Sequence, residues 1–168
     1  MQEIRQALGG LLRHQSRLGE AETVLREAEA FAREAGDRET EARATGSLGV
    51  VFLHLGRLDD AKRHAERFLE ISREIGYREG EAIATGNLGV VCFALGRMAE
   101  ARAHLERDLA LYEAMGDRKG VAIATGNLGM LLADLGRREE ARACYERWLA
   151  IAREIGYRQG ESVATGNL

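Results

Sequence analysis

The sequence predicts an all-α solenoid built from antiparallel helix pairs, and three observations support this prediction. First, the pattern repeats every forty residues: the Leu-Gly pair at 48–49 returns at 88–89 and 128–129 without insertion or deletion. Second, apolar residues within each repeat are spaced three and four apart, which places them on one helix face. Third, glycines separate these segments at regular intervals in a chain without proline. Because a lone helix pair cannot bury its apolar faces, successive pairs must stack.

The forty-residue period divides the chain into repeats of one array. The predicted repeats are 1–40, 41–80, 81–120, 121–160 and a partial fifth at 161–168.

The first helix of each repeat, helix A, has its apolar stripe at Ala84, Leu88 and Val91 in the third repeat. A glycine just past the last periodic residue can adopt the left-handed conformation that ends a helix. We therefore expect helix A to end at a glycine in three repeats and at Ser16 in the first. The three glycines are Gly56, Gly96 and Gly136.

The second helix, helix B, should begin near Met98 in the third repeat, with Ala101 and Leu105 on its apolar face. Asp37 and Asp117 are suitable N-caps for the A helices that follow helix B. The glycines expected to end the B helices are Gly36, Gly76, Gly116 and Gly156.

Composition argues against several classes of partner. Lys and Arg number 24 against 27 Asp and Glu, so the net charge of -3 offers no basic surface for nucleic acid or an anionic membrane. No apolar run is long enough to span a membrane, and the N-terminus is too polar for a secretory signal, so a cytoplasmic protein is expected. Cys92 and Cys144 have no paired spacing and are interpreted as small hydrophobic residues.

No motif for catalysis, a metal or a cofactor is found, so an enzyme is not expected. His14 and His54 share one repeat position, and His64 and His104 share another, but equivalent residues in stacked repeats stand about 10 Å apart, too far to share a zinc ion. Trp148 shares its position with Ala28, Phe68 and Asp108. This variety predicts a partly exposed site on helix B.

Residues 128–141, with the pattern LGxxxxxLGRxxEA, resemble the tetratricopeptide repeat. The forty-residue period is similar to the longer variant found in kinesin light chains, Pins-type spindle adaptors and many bacterial signalling proteins. The resemblance covers the whole chain. It implies a right-handed superhelix whose concave surface is lined by A helices and binds a protein or peptide.

The chain has three asparagines, Asn87, Asn127 and Asn167, and all occupy one repeat position. An amide both donates and accepts hydrogen bonds, so a column of amides could bind the main chain of an extended peptide. Similarity to related forty-residue repeats implies this role for Asn87 and Asn127, with Asn167 in the partial repeat. The alternative is that the amides connect one A helix to the next.

Helical spacing predicts further residues on the same face of the A helices. They are Arg43, Ser47, Val50 and His54 in the second repeat, Ile83, Val90 and Ala94 in the third, and Ile123, Met130 and Asp134 in the fourth.

Two series of glycines lie inside helix A, where glycine costs roughly 0.5–1 kcal/mol relative to alanine. The series at 49, 89 and 129 should allow close contact between helices A and B. The second series either lets successive A helices approach or leaves the groove floor bare for a ligand backbone. Its members are Gly46, Gly86, Gly126 and Gly166.

The leading hypothesis is therefore a non-catalytic binding module. The alternative is self-association, because solenoids usually end in polar caps and these terminal repeats leave apolar surface uncovered. Such ends could stack into a homo-oligomer, as in a fragment of a longer array or an engineered one.

Overall fold

The computed structural model describes residues 15–168, and this part of the chain is all α. Its described residues form eight helices and no strand. The helices are α1 Gln15–Ala35, α2 Arg38–His54, α3 Leu58–Glu74, α4 Arg78–Ala94, α5 Met98–Met115, α6 Arg118–Asp134, α7 Arg138–Glu154 and α8 Arg158–Gly166.

Left-handed glycines separate the helices as predicted. Each helix from α1 to α7 is followed by a glycine with φ between 67° and 74°. After α5, the N–H of Gly116 donates to the carbonyl of Glu113 and the N–H of Asp117 donates to that of Tyr112, both at 3.1 Å. These bonds satisfy carbonyls that the end of the helix leaves without partners. The regular glycine spacing in the sequence therefore marks the helix ends.

The helix starts follow the predicted caps. The carboxylate of Asp37 accepts a hydrogen bond from the Thr40 N–H, and that of Asp117 accepts one from the Gly120 N–H, both at 3.0 Å. Tyr157 precedes α8 without a side-chain cap. The prediction for Ser16 was wrong, because this residue lies inside α1 and ends no helix.

The described residues divide into two compact units, with the division between Asn87 and Leu88 inside α4. Unit 1 contains α1, α2, α3 and the first part of α4. Here α2 packs against both α1 and α3. Phe52 of α2 and Ile71 of α3 are fully buried, and Phe68 is buried with Ala42 and Ala84.

A buried carboxylate connects α1 and α2 in unit 1. Glu41 is 1% exposed and accepts hydrogen bonds from Arg33 Nε at 3.1 Å and from Arg38 Nη1 at 2.5 Å. Burial raises the pKa of Glu41, but the hydrogen bonds from Arg38 and Arg33 outweigh it and hold the pKa below its ordinary value. The charged form is therefore favoured in the folded unit.

Unit 2 contains the rest of α4 and helices α5 to α8. Helix α6 packs against α5 and α7, and α8 packs against α7 and also contacts α6. One group of buried side chains joins Cys92, Leu105 and Leu131, and a second is built around Tyr145 and Trp148. The contact between α6 and α8 brings together the A helices of successive repeats.

In the first repeat, Ala7 occupies the asparagine position and residues 8–9 are the Leu-Gly pair; these residues and His14 lie outside the described residues. No helix within 15–168 combines the length and the apolar character needed to cross a membrane.

Candidate ligand-binding face

The predicted face of α6 is accessible along its length. Ile123 and Met130 are 40% and 43% exposed, Asp134 is exposed and Asn127 between them is half-buried. The opposite side of the helix is buried, and its Gly129 lies against α7. Spacings of four, three and four residues keep the accessible side chains on one stripe. We call this stripe, with its counterparts on α8, the unit 2 face.

Helix α8 repeats the pattern beside α6. Val163 occupies the repeat position of Ile123 and is 45% exposed, while Asn167 occupies that of Asn127 and is also exposed. The unit 2 face therefore combines three apolar side chains (Ile123, Met130 and Val163), the acidic Asp134 and two amides, on α6 and on α8 with its C-cap Asn167. Val163 was not among the predicted site residues, although its repeat position pointed to it.

The Asn127 side-chain amide forms no hydrogen bond with another described residue of unit 2, and the same holds for Asn87 within unit 1. The alternative that these amides connect one A helix to the next gains no support within either unit. An unpaired amide that is only partly exposed is well suited to a main-chain hydrogen bond, because it offers both donors and an acceptor.

The corresponding face of α2 in unit 1 is more polar and partly occupied. Arg43 forms an ion pair with Glu39 at 2.8 Å, and its guanidinium lies 5.1 Å from the centre of the Tyr77 ring. Ser47 and Val50 are half-buried and His54 is exposed. A ligand at Arg43 would have to compete with both interactions, which makes this face less receptive than the unit 2 face.

The remaining predicted residues lie on α4, on both sides of the division between the units. Ile83 and Asn87 are half-buried in unit 1, and in unit 2 Val90 is half-buried and Ala94 exposed.

The second glycine series contacts helix B of its own repeat at two positions, which neither of the two expected alternatives included. Gly46, Gly86 and Gly126 are all buried. A Cβ atom on Gly46 would lie 2.5 Å from the Phe68 ring, and one on Gly126 would lie 2.5 Å from the Trp148 ring. These two glycines admit an aromatic ring from helix B of the same repeat. Gly166, at the end of α8, has open space around it.

Trp148 is a core residue, so its predicted partial exposure was also wrong. It is 8% exposed, and its ring lies over Gly126 while its Nε1 approaches Gly160 of α8. Phe68 is 3% exposed at the same repeat position. The missed signal was the pairing of a helical glycine with an aromatic residue 22 positions later, at 46 with 68 and at 126 with 148.

The first glycine series behaves as predicted. A Cβ atom on Gly49 would lie 3.4 Å from His64 Cβ, and one on Gly129 would lie 2.7 Å from the Tyr145 ring. Both contacts are with helix B of the same repeat.

Histidines and acidic residues within 15–168 do not gather into a group that could hold a metal ion. His64 Nδ1 lies 2.8 Å from the backbone oxygen of Asp60, and no group of three potential metal ligands is found there. The acidic residues of the first turns of α3 and α7 complement the helix dipole.

Comparison with known proteins identifies the repeat. A family model described as tetratricopeptide repeat matches residues 3–74 and 80–154. No curated protein matches the sequence at a significant level.

Three solved structures illustrate the similarity. The putative kinesin light chain repeats of Podosopora anserina are 16% identical, with a TM-score of 0.68 over 98% of this chain and 86% of theirs. The Rap conjugation gene regulator of plasmid pLS20, solved with the Phr* peptide, is 20% identical, with a TM-score of 0.70 over 97% of this chain and 42% of its own. BtubC from P. vanneervenii is 20% identical, with a TM-score of 0.64 over 90% and 70%. At these identities the likeness concerns the fold.

Proposed function

The chain belongs to the tetratricopeptide repeat family, and from this premise we propose that it is a non-catalytic module that binds an extended peptide segment on its A helices. The observation that carries the proposal is the unit 2 face, where the unpaired amide of Asn127 lies between two accessible apolar side chains. The similar Rap regulator was solved with a peptide, which supports a peptide as the ligand class.

The chemistry of the face indicates what the segment should contain. Asn127, with Asn167 at the C-cap of α8, can hydrogen-bond the ligand main chain without selecting its side chains. Ile123, Met130 and Val163 supply apolar surface, and burying such surface contributes about 25 cal/mol per Å². We therefore expect an extended segment with aliphatic or aromatic side chains flanking a free main-chain amide and carbonyl.

A corresponding surface within unit 1 would be formed by Arg43, Ser47, Val50, His54, Ile83 and Asn87, and within unit 2 the surface would also include Val90 and Ala94. Their contribution should be smaller at Arg43, because that side chain already has partners in unit 1.

Selection from a random peptide library tests the proposal directly. Displayed 12-residue peptides are selected on the immobilised chain, and the affinity of enriched peptides is measured by fluorescence anisotropy. Asn127→Ala should weaken binding roughly 2- to 12-fold, the equivalent of one net hydrogen bond. Ile123→Glu should abolish it, because it places an unpaired charge against apolar ligand surface.

Ala143→Glu is the matched control, since it adds the same charge at an exposed position of α7. It should leave affinity unchanged. Peptides that bind Ile123→Glu as well as the wild-type chain would refute the proposed face. Peptides lost equally with Ala143→Glu would show dependence on net charge and would also refute it.

Self-association of the chain can be tested separately with the same purified protein. Light scattering over a range of concentrations measures it directly, and a mass that rises with concentration and falls back on Ile123→Glu would assign the unit 2 face to a second copy of this chain.

A further inference from the structure

Asp108 of α5 is a buried carboxyl at a position that aromatic rings occupy elsewhere. Its side chain is 3% exposed, and its Oδ1 atom has no hydrogen-bond partner. Phe68 and Trp148, at the same repeat position, fill this place with apolar rings. An isolated carboxylate in such an environment is costly, because burial removes its hydration without returning a partner.

The helix that carries Asp108 helps to hold α6 in place. The neighbouring residues Leu109 and Tyr112 pack against the buried group of unit 2 that includes Val121 and Ala122 of α6. A change in the packing of α5 is thus transmitted directly to the helix that carries Asn127.

Other charged and titratable groups of unit 2 lie on α5 and on the helices that pack with it. On α5 they are Arg102, His104, Glu106, Arg107, Tyr112 and Glu113; on α6 they are Arg118, Lys119 and Asp134 after the cap Asp117; on α7, whose Arg147 pairs with Glu113, they include Cys144 and Tyr145; on the unit 2 part of α4 there is Cys92. None of them forms a hydrogen bond with Asp108 Oδ1.

We propose that Asp108 makes unit 2 a pH-sensitive element, which is stable while this carboxyl is protonated and weakened when it ionises. The effect goes beyond the proposed binding function and does not depend on it. It concerns the stability of α5 against α6, whether or not a ligand binds there.

The direction of the effect follows from linkage. Burial raises the pKa of Asp108 from 3.8 to about 7. Below 3.8 the carboxyl is protonated in both folded and unfolded chains, so it contributes no penalty. As the pH rises from 3.8 through 7, the carboxyl ionises in the unfolded chain but stays protonated in the folded unit. Ionisation therefore favours the unfolded chain, and the folded unit loses stability. Between pH 5 and pH 8 the unfolding constant of unit 2 should rise by up to roughly 90-fold from this group.

Unit 1 has the opposite dependence. The pKa of Glu41 is lowered, so its stabilising contribution is present above the ordinary value and is lost as the pH falls through the lowered one. The two units should therefore respond in opposite directions to acid.

Urea unfolding of the full chain at pH 5, 6, 7 and 8 tests the proposal. Trp148 is the only tryptophan and lies in unit 2, so its fluorescence reports on that unit. Asp108→Asn keeps the shape and cannot ionise, and Asp108→Phe reproduces the residue at position 68. The difference between the wild-type chain and Asp108→Asn cancels the other titrating groups.

We expect the unfolding constant of the wild-type chain, relative to Asp108→Asn, to rise by tens of fold between pH 5 and pH 8. Asp108→Phe should be more stable than the wild-type chain at pH 8. A ratio that stays constant across this range would overturn the proposal. If Asp108→Asn does not fold, the chemical shift of the Asp108 carboxyl carbon is measured by NMR against pH in the wild-type chain. A titration midpoint near pH 7 supports the proposal, and one near pH 4 overturns it.

Discussion

Replacement of Gly126 by alanine tests whether an aromatic ring of helix B determines the small residue of helix A. The added Cβ would lie 2.5 Å from Trp148 Cε3 and 2.6 Å from Cζ3. Real Cβ atoms do not approach other atoms this closely, so the ring or the helix must move. The ring has little room, because its Nε1 side faces Gly160 of α8.

Two opposing effects set the magnitude. Overpacking a well-packed core costs roughly 1–3 kcal/mol. Alanine in a helix interior regains roughly 0.5–1 kcal/mol relative to glycine. The structure therefore predicts a net loss of roughly 0–2.5 kcal/mol with a midpoint near 1, whereas helix propensity alone predicts a gain.

Urea unfolding followed by circular dichroism at 222 nm measures this difference. Gly166→Ala is the matched control at the same repeat position, where nothing lies within 4 Å, and it should not destabilise the chain. In a Trp148→Leu background, Gly126→Ala should no longer be destabilising. If Gly126→Ala stabilises the wild-type chain as much as Gly166→Ala does, the ring does not constrain the glycine and the reasoning fails.

Two further predictions concern helix ends and charge. Asp117→Ala removes the side-chain cap of α6 and should cost about 1 kcal/mol in urea unfolding. Tyr157→Asp would supply a cap that α8 lacks, but it removes a half-buried ring that packs against the core of unit 2, so it should lower the stability of unit 2. Unchanged stability of Asp117→Ala would contradict the capping role. Glu41→Gln should remove part of the acid sensitivity of unit 1, because the lowered pKa of Glu41 makes its contribution vanish as the pH falls. Urea unfolding curves of Glu41→Gln and of the wild-type chain are measured between pH 3 and pH 6. If the stability of both falls equally with acid, Glu41 is not the source of the acid sensitivity of unit 1.

Helix ends and N-caps could be predicted from the sequence, because each depends on residues only a few positions apart. The glycines that follow the helices are required by backbone geometry alone, and Asp37 and Asp117 meet N–H groups three residues away. The accessible stripe of α6 follows from the helical period, so Ile123, Asn127 and Met130 were predicted together.

The burial of individual residues was harder to predict, because it depends on contacts with other helices. Trp148 and Gly126 are 22 residues apart in the sequence. The repeat position of Trp148 holds different residue types, which suggested that it tolerates any side chain. The structure shows instead that it is buried at Phe68, Asp108 and Trp148.

Short-range sterics and the helical period are enough to predict the helices, the glycines that follow them and the side of α6 on which Ile123, Asn127 and Met130 lie. Contacts between helices required the structure: Gly46 and Gly126 lie under aromatic rings, Arg43 already has partners, and Asp108 is buried with an unpaired oxygen. These features depend on which side chains of separate helices meet, and packing between helices fixes that choice.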